Sequence, residues 1–306
     1  MAKILVCDPT DPKAVAKMQE ADYLQVVHND QGTPADELLK IVGDYDCLVV
    51  RSATKVTKEV IDAGKNLKLI VRGGVGVDNI DVAYAKEKGI EVRNTPAASS
   101  VSVAELALGM MFSLSRKLHA ADASMKQMKW EKKAFKGTEL WGKTLGIVGI
   151  GRIGQELAKR ALGLGMKVIA YDPYVKAAAA GMEGVEDVSL QDLVQRSDII
   201  SLHVPKAPET HHMFSTEQFK KMKNSAFIVN TSRGGVIDEA ALAQALQEGE
   251  IAGAALDVYE KEPATEHLFA GFDNVLLTPH IAAQTKEGQA RVGFEVADIV
   301  RDFFAP

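Results

Sequence analysis

The sequence predicts an α/β protein: a doubly wound parallel sheet with a second, smaller and discontinuous α/β domain. Three observations predict it. Short apolar runs alternate with helical patterns along most of the chain, the rhythm of βαβ units. The length, 306 residues, suits two domains that each bury a core. The final stretch, KEGQARVGFEVADIVRDFF, is amphipathic and no strand follows it, so it is expected to fold back onto the first domain.

Residues 1–95 together with 284–306 form the expected smaller domain, a flavodoxin-like layer. Its strands are KILVC, QVVH, CLVVRS, LKLIVRGG and IEVRNTP; PKAVAKMQEA, PADELLKIVG and DVAYAKEKG lie between them. Residues 96–283 form the larger domain. It opens with SSVSVAELALGMMFSLSRKLHAADASMKQMKW, helical in spacing over about 100–130. Ser102 and Glu105 fit a capping box at its start, or one or two residues inside it. The segment is apolar over more than one stripe and long for a single core helix, so its surplus face is expected to meet another subunit. TLGIVG, KVIAYD, DIISLHV, AFIVNTS, IAGAALDV and VLLTPH then read as strands of one sheet with right-handed crossovers. Ser189 and Asp192 supply N-terminal helix chemistry to the LQDLVQR segment. The run AAAA at 177–180 reads as a piece of helix.

Bulk properties exclude several classes. Hydrophobic residues at 46% and charged residues at 25% are ordinary for a soluble globular chain. A net charge of −5 and a sequence pI near 5.9 argue against a nucleic-acid partner. No stretch is long and apolar enough to span a membrane, and the N-terminus lacks the layout of a signal peptide. Cys7 and Cys47 both sit in apolar runs as small hydrophobes, so neither a disulfide framework nor a CxxC metal site is expected, and a reducing cytoplasm is the natural compartment.

Gly149-Ile150-Gly151-Arg152-Ile153-Gly154 is a GxGxxG run. Alone it is weak. Here it follows an apolar strand and opens an amphipathic helix striped by Ile153, Leu157, Ala161 and Leu164, and a second strand ends at Asp172, about twenty residues on. In this Rossmann setting Gly149 makes the tight turn, Gly151 lets backbone N–H groups approach a pyrophosphate, and Gly154 lets helix and strand pack closely. The pyrophosphate meets the positive end of the helix dipole. Asp172 can accept from both ribose hydroxyls and repels a 2′-phosphate, which favours NAD over NADP.

Ligands of open α/β sheets bind outside the carboxyl ends of the strands. Those ends deliver Arg233 after AFIVNTS, Glu262 after IAGAALDV and His280 after VLLTP. Each alone reads as a surface residue. Together they form an acid–base set for redox chemistry at a 2-hydroxy or 2-keto acid. Arginine grips the carboxylate, histidine moves the hydroxyl proton, and the second carboxylate orients the imidazole and stabilises its protonated form.

GIGRIG, NTSRGGVIDE, ALDVYEKEP and LLTPHIAAQT, in that order, resemble the D-isomer-specific 2-hydroxyacid dehydrogenases, over essentially the whole chain. The resemblance implies Arg233, Glu262 and His280 as the catalytic set, the smaller domain as a substrate-binding lid, and a homodimer joined through the long helix, or a tetramer of two dimers. It implies that Val75, Val204, Thr231, Ser232, Asp257 and Ala283 line the cofactor pockets, beside Arg152 and Ile153 at the pyrophosphate. Gly74, Val75 and Gly76 resemble the loop whose N–H groups hold the substrate carboxylate. VVRSATKVT, RGGVGVDNIDV and WEKKAFKGTELWGKTLGIVGIGRIG narrow the likeness to members whose small anionic substrate also carries a phosphate. Arg51 and Arg72 would serve that phosphate, with Lys132 reaching across the dimer as a point charge. Some such members continue into a C-terminal amino-acid-sensing domain. This sequence ends at Pro306, so a short form without that control is expected.

Two rival readings share these residues: a reductase of a small unphosphorylated 2-keto acid, and an NAD-sensing binding protein on the same fold. Adjacent His211 and His212 point poorly at one metal and no cysteine or carboxylate constellation accompanies them, so no metal site is expected. His203 in SLHVP resembles a position near the adenine and reads as packing.

Overall fold

The computed structural model describes residues 1–306. The chain divides into two compact units, Met1–Ser99 with Ala283–Pro306, and Ser100–Ala282.

The first unit carries strands β1 (Ala2–Val6), β2 (Leu24–His28), β3 (Cys47–Val50), β4 (Leu69–Arg72) and β5 (Glu91–Asn94). All pair in parallel, in the order β2-β1-β3-β4-β5, the flavodoxin-like order. Helices α1 (Pro12–Gln19), α2 (Ala35–Ile41), α3 (Lys58–Ala63) and α4 (Val82–Glu87) make the crossovers. The apolar runs are continuous because both faces are covered. In β1, Ile4 and Val6 enter one buried cluster while Leu5 and the following Cys7 enter the other. Both cysteines are buried and free.

The second unit opens with α5 (Ser100–Arg116) and α6 (Leu118–Lys126). The single long helix expected from spacing is therefore two. Lys117 sits between them in the left-handed region, φ 53°, and the Ser115 carbonyl, left free where α5 ends, accepts the Thr138 N–H at 2.8 Å. Helix α5 starts at Ser100, so Ser102 lies in its first turn and does not cap it. Its inner face, Ala104, Ala107, Met110, Met111 and Leu114, is core.

The sheet comprises β6 (Thr144–Val148), β7 (Lys167–Tyr171), β8 (Val185–Asp187), β9 (Ile199–Leu202), β10 (Phe227–Asn230), β11 (Gly253–Leu256) and β12 (Val275–Leu277), ordered β12-β11-β10-β9-β6-β7-β8 and parallel throughout. Strand β8 is an edge addition that the periodicity does not show, being short and charged. Helices α7 (Arg152–Gly163), α8 (Leu190–Arg196), α9 (Thr216–Lys221) and α10 (Glu239–Gln247) flank the sheet. Ser189 caps α8 by accepting the Asp192 N–H at 3.1 Å. Leu164 falls beyond the end of α7 and is 36% exposed, off the stripe assigned to it. Residues 177–180 form a turn, not a helix. Asp187 takes the Ala177 N–H at 2.9 Å, and Gly181 at φ 69° redirects the chain.

The chain then returns to the first unit as α11 (Lys286–Phe304). Thr285 caps it, and Val292, Val296, Ala297 and Val300 join Ile4, Val6, Val15 and Met18 in one core. No helix is long and apolar enough to cross a membrane.

Candidate active site

The second sheet reverses its winding between β6 and β9, so a crevice opens at their carboxyl ends. The glycine run occupies that place. Gly149, at φ 95°, stands where a Cβ would lie 2.4 Å from the His203 carbonyl oxygen. A Cβ on Gly154 would lie 2.2 Å from the Gly149 carbonyl oxygen, so α7 can seat on the turn only without one. A Cβ on Gly151 would meet nothing within 4 Å, which leaves the approach to the helix N-terminus clear. Arg152 and Ile153 form the first turn of α7.

Asp172 follows β7. Its Oδ2 accepts the Ile150 N–H at 3.0 Å, and its Oδ1 accepts Tyr174 and Val175 N–H at 2.9 and 3.0 Å. The carboxylate thus ties the glycine turn to the loop after β7 and still has acceptor capacity for hydroxyls. Thr231 Oγ1, at the end of β10, is buried without a partner, as is His203 Nδ1. Burial pushes His203 down to about 4, so the ring is neutral, and its Nε2 lies 2.9 Å from Ser201 Oγ. A glycine cradle with orphaned polar atoms beside it fits a dinucleotide. Val204 stands at the same sheet edge, half-buried.

Arg233, Glu262 and His280 all lie in the second unit, beyond the carboxyl ends of β10, β11 and β12. Asn230 shapes the turn that carries Arg233: its Oδ1 accepts Ser232 N–H and Oγ–H, and its Nδ2 donates to the Arg233 carbonyl at 3.0 Å. The Arg233 guanidinium donates to the Ser232 carbonyl at 2.6 Å. His280 takes a left-handed conformation, φ 54°, and its Nδ1 is 2.8 Å from Glu262 Oε2. The other Glu262 oxygen accepts the Tyr259 N–H at 3.1 Å. Burial pushes the Glu262 carboxyl up, but the bond and charge of His280, the Tyr259 N–H and Arg233 outweigh it and hold it below the usual range. An ionised Glu262 orients the ring through Nδ1 and leaves Nε2 for proton transfer.

Asp257, expected to line the cofactor pocket, has no exposed surface, and its carboxylate faces the neighbouring turn. Its Oδ1 accepts Thr278 Oγ–H and Ile281 N–H at 2.6 and 2.8 Å, and its Oδ2 accepts Ala282 N–H at 2.8 Å. It is the buried anchor of the turn that presents His280. Nothing in the string ALDV distinguishes an aspartate facing a ligand from one facing the next strand.

The remaining residues of the expected set lie elsewhere. Arg51, Arg72, Gly74, Val75 and Gly76 belong to the first unit, and Ala283 is where the chain re-enters it. Val50 pairs with Arg72 in register, so Arg51 and Arg72 stand at neighbouring strand ends. Arg72 donates to Ser52 Oγ at 3.1 Å, and its guanidinium lies across Gly74. Arg51 donates to the Pro9 carbonyl at 3.3 Å and keeps a buried, unpartnered Nε; burial lowers its pKa while the Asp8 charge opposes this. The Gly74 N–H donates to Thr95 Oγ1 at 2.7 Å, and the Val75 carbonyl accepts from Asn94, so this loop is held at both ends. Lys132 is exposed in the segment after α6.

The histidine pair also differs from expectation. Asp238 and Glu260 gather around His212, although the sequence places neither near it. His212 Nε2 is 3.1 Å from Glu260 Oε1 and Nδ1 is 3.8 Å from Asp238 Oδ2. The ring turns one nitrogen to each carboxylate, and Ser215 and the Ala241 N–H also occupy Asp238. Only the Glu260 contact is at hydrogen-bond distance; Asp238 stands at ion-pair distance. A separate cavity of about 640 Å³, lined by Ser115, Lys143, Asp198 and Asp273, opens at the amino ends of the strands, away from this chemistry.

A sheet edge holding a dinucleotide cradle, a guanidinium and an imidazole–carboxylate pair suits one class of protein, an NAD-dependent dehydrogenase. Residues 108–282 match the model of the D-isomer specific 2-hydroxyacid dehydrogenase NAD binding domain. A hydroxypyruvate reductase of Thermotoga maritima is 51% identical over 97% of this chain and 96% of its own length. A D-3-phosphoglycerate dehydrogenase of Methanocaldococcus jannaschii is 49% identical over 98% of this chain, which spans only 57% of that relative. The structure of D-lactate dehydrogenase from Aquifex aeolicus complexed with NAD and lactic acid superposes with a TM-score of 0.86 at 32% identity, covering 98% of this chain and 95% of that one. The chain belongs to the D-isomer-specific 2-hydroxyacid dehydrogenase family, and its cofactor is NAD.

Proposed function

We propose that this chain oxidises the C2 hydroxyl of 3-phospho-D-glycerate to the ketone of 3-phosphohydroxypyruvate, the entry to serine synthesis. The observation that carries this reading is the pair Arg51 and Arg72 at adjacent strand ends. A substrate tail that bears two negative charges needs such a pair; an uncharged tail does not. Relatives named D-3-phosphoglycerate dehydrogenase at 44–49% identity support it.

NAD bound at the cradle supplies the hydride acceptor. Gly149, Gly151, Arg152, Ile153 and Gly154 hold its pyrophosphate, Asp172 its ribose, and Val204, Thr231 and Ser232 the adjoining pockets. Arg233 fixes the substrate carboxylate and polarises the forming carbonyl. His280 Nε2 removes the C2 hydroxyl proton, and Glu262 stabilises the imidazolium that results. The N–H groups of Gly74, Val75 and Gly76 serve the carboxylate, and Lys132 adds a charge from a second subunit. The homodimer is supported by exposed Leu118, Met125, Met128 and Trp130, an apolar surface on and after α6. Two free buried cysteines accord with a cytoplasmic enzyme.

A second reading, reduction of hydroxypyruvate or another small 2-keto acid, is favoured by the Thermotoga maritima relative, which matches this chain almost end to end. Arg51→Ala separates the two. On the first reading kcat/KM falls by about 10–100-fold for the phosphorylated substrate, the worth of one charged contact, and little for the unphosphorylated one. Equal losses on both substrates favour the second reading. NAD binding without turnover of any 2-hydroxy acid favours a binding protein.

Asp172→Ala is expected to narrow the preference for NAD over NADP, because the carboxylate that repels a 2′-phosphate is gone. Measured kcat/KM values with both cofactors decide it, and an unchanged ratio removes Asp172 from cofactor selection.

A further inference from the structure

We propose that Glu239 is a positioning residue for the Glu262–His280 pair and acts through the backbone N–H of Glu260; this rests on the dehydrogenase reading above. Glu239 is the first residue of α10, and Glu260 lies in the loop between β11 and β12, which also carries Glu262. The two glutamates exchange hydrogen bonds. The Glu260 N–H donates to Glu239 Oε1 at 2.7 Å, and the Glu239 N–H donates to Glu260 Oε1 at 3.2 Å. A two-way clip of this kind fixes both the distance and the rotation of the loop against the helix.

Other contacts press on the same peptide. A Cβ on Gly234 would lie 1.7 Å from the Tyr259 carbonyl oxygen and 2.9 Å from the Glu260 nitrogen, so the turn after Arg233 lies flat against it. His212 Nε2 lies 3.1 Å from the same Glu260 oxygen that receives the Glu239 N–H. From this fixed peptide the chain runs directly into Glu262. The Tyr259 N–H meets one Glu262 oxygen at 3.1 Å, and His280 Nδ1 meets the other at 2.8 Å. Glu239 touches neither His280 nor the Arg233 guanidinium through any of these bonds. Its effect passes through the loop.

The charge arrangement makes the clip costly unless it has a task. Burial and the charges of Glu260 and Glu262 hold the Glu239 carboxyl above the usual range, against the Glu260 N–H and the His267 charge, which pull it down. Three glutamates converge where the backbone N–H groups of Glu239, Tyr259 and Glu260 and the imidazoles of His212, His267 and His280 compensate them. Loss of the Glu239 acceptor frees the Glu260 N–H, and the loop loses its register with the imidazole. Small misplacements of a catalytic group lower rates by up to about 100-fold.

The test compares Glu239→Ala, Glu239→Asp and Glu239→Gln in the full chain. Glutamine keeps an oxygen at the same reach, whereas aspartate keeps the charge but falls one methylene short. Ala and Asp are expected to lower kcat by about 10–100-fold with NAD affinity unchanged, and Gln to restore it. In the reductive direction, the pH at which activity is lost moves down in Ala and Asp, because the imidazolium has lost its oriented carboxylate. Wild-type kcat and pH profile in Ala, or a Gln variant as impaired as Ala, overturns the proposal. If Ala does not fold, the Asp and Gln variants carry the comparison. If the wild type turns over no 2-hydroxy or 2-keto acid, it is the functional reading that fails. The His280 ring titration, followed by ¹⁵N NMR in wild type, Asp and Gln, then still decides: a displaced curve in Asp alone supports the clip, and coincident curves refute it.

Discussion

Replacing His280 with asparagine is expected to lower kcat by about 10²–10⁴-fold, the contribution of a positioned acid–base group. Asparagine is the informative choice. His280 holds φ at 54°, a conformation that asparagine tolerates and alanine resists. The turn is therefore kept, and only the titrating ring is lost. Glu262 loses its partner at the surface of the crevice, where water can replace it, so unfolding should be little affected. Steady-state rates in both directions, with NAD affinity measured separately, check the expectation. A variant that works at close to the normal rate would remove His280 from the mechanism.

Asp257→Ala is expected to be the most damaging change outside the crevice. Asp257 is fully buried, and its carboxylate receives Thr278, Ile281 and Ala282 donors at 2.6–2.8 Å. Truncation takes the acceptor from two backbone N–H groups and a hydroxyl, at about 1–3 kcal/mol for each that finds no other partner. We expect a loss of about 3–5 kcal/mol, which lowers the melting temperature by roughly 10 °C or more. Catalysis should fall as well, because the turn that presents His280 is the one that Asp257 anchors. Thermal unfolding and kcat measured on one preparation check both. A stable variant that is inactive would assign Asp257 to the cofactor pocket instead.

The parts of this protein that are legible in its sequence are those governed by local pattern. Ile4, Leu5 and Val6 read as one apolar run because a strand of a covered parallel sheet buries both faces. Gly149, Gly151 and Gly154 announce the cradle because a tight turn and a close helix–strand contact exclude side chains at fixed spacing. Arg233, Glu262 and His280 could be placed on one edge because every strand of a parallel sheet ends on the same side. The break at Lys117 was less legible: apolar spacing persists through it, and what ends α5 is a carbonyl taken by Thr138, a residue beyond α6.

What the chain determined alone is the alternation of strands and helices apart from β8, the α5–α6 break and the turn at 177–180, together with the glycine turn and the residue types at the strand ends, because each depends on neighbours a few positions away. The tertiary structure alone decided that Asp257 turns inward to brace the His280 turn, that Asp238 and Glu260 close on His212, and that Glu239 clips the loop before Glu262. Those contacts join residues brought together by strand pairing and by the packing of one loop on another. Hydrophobic periodicity records which face of an element is buried and carries no information about which polar groups meet across the gap.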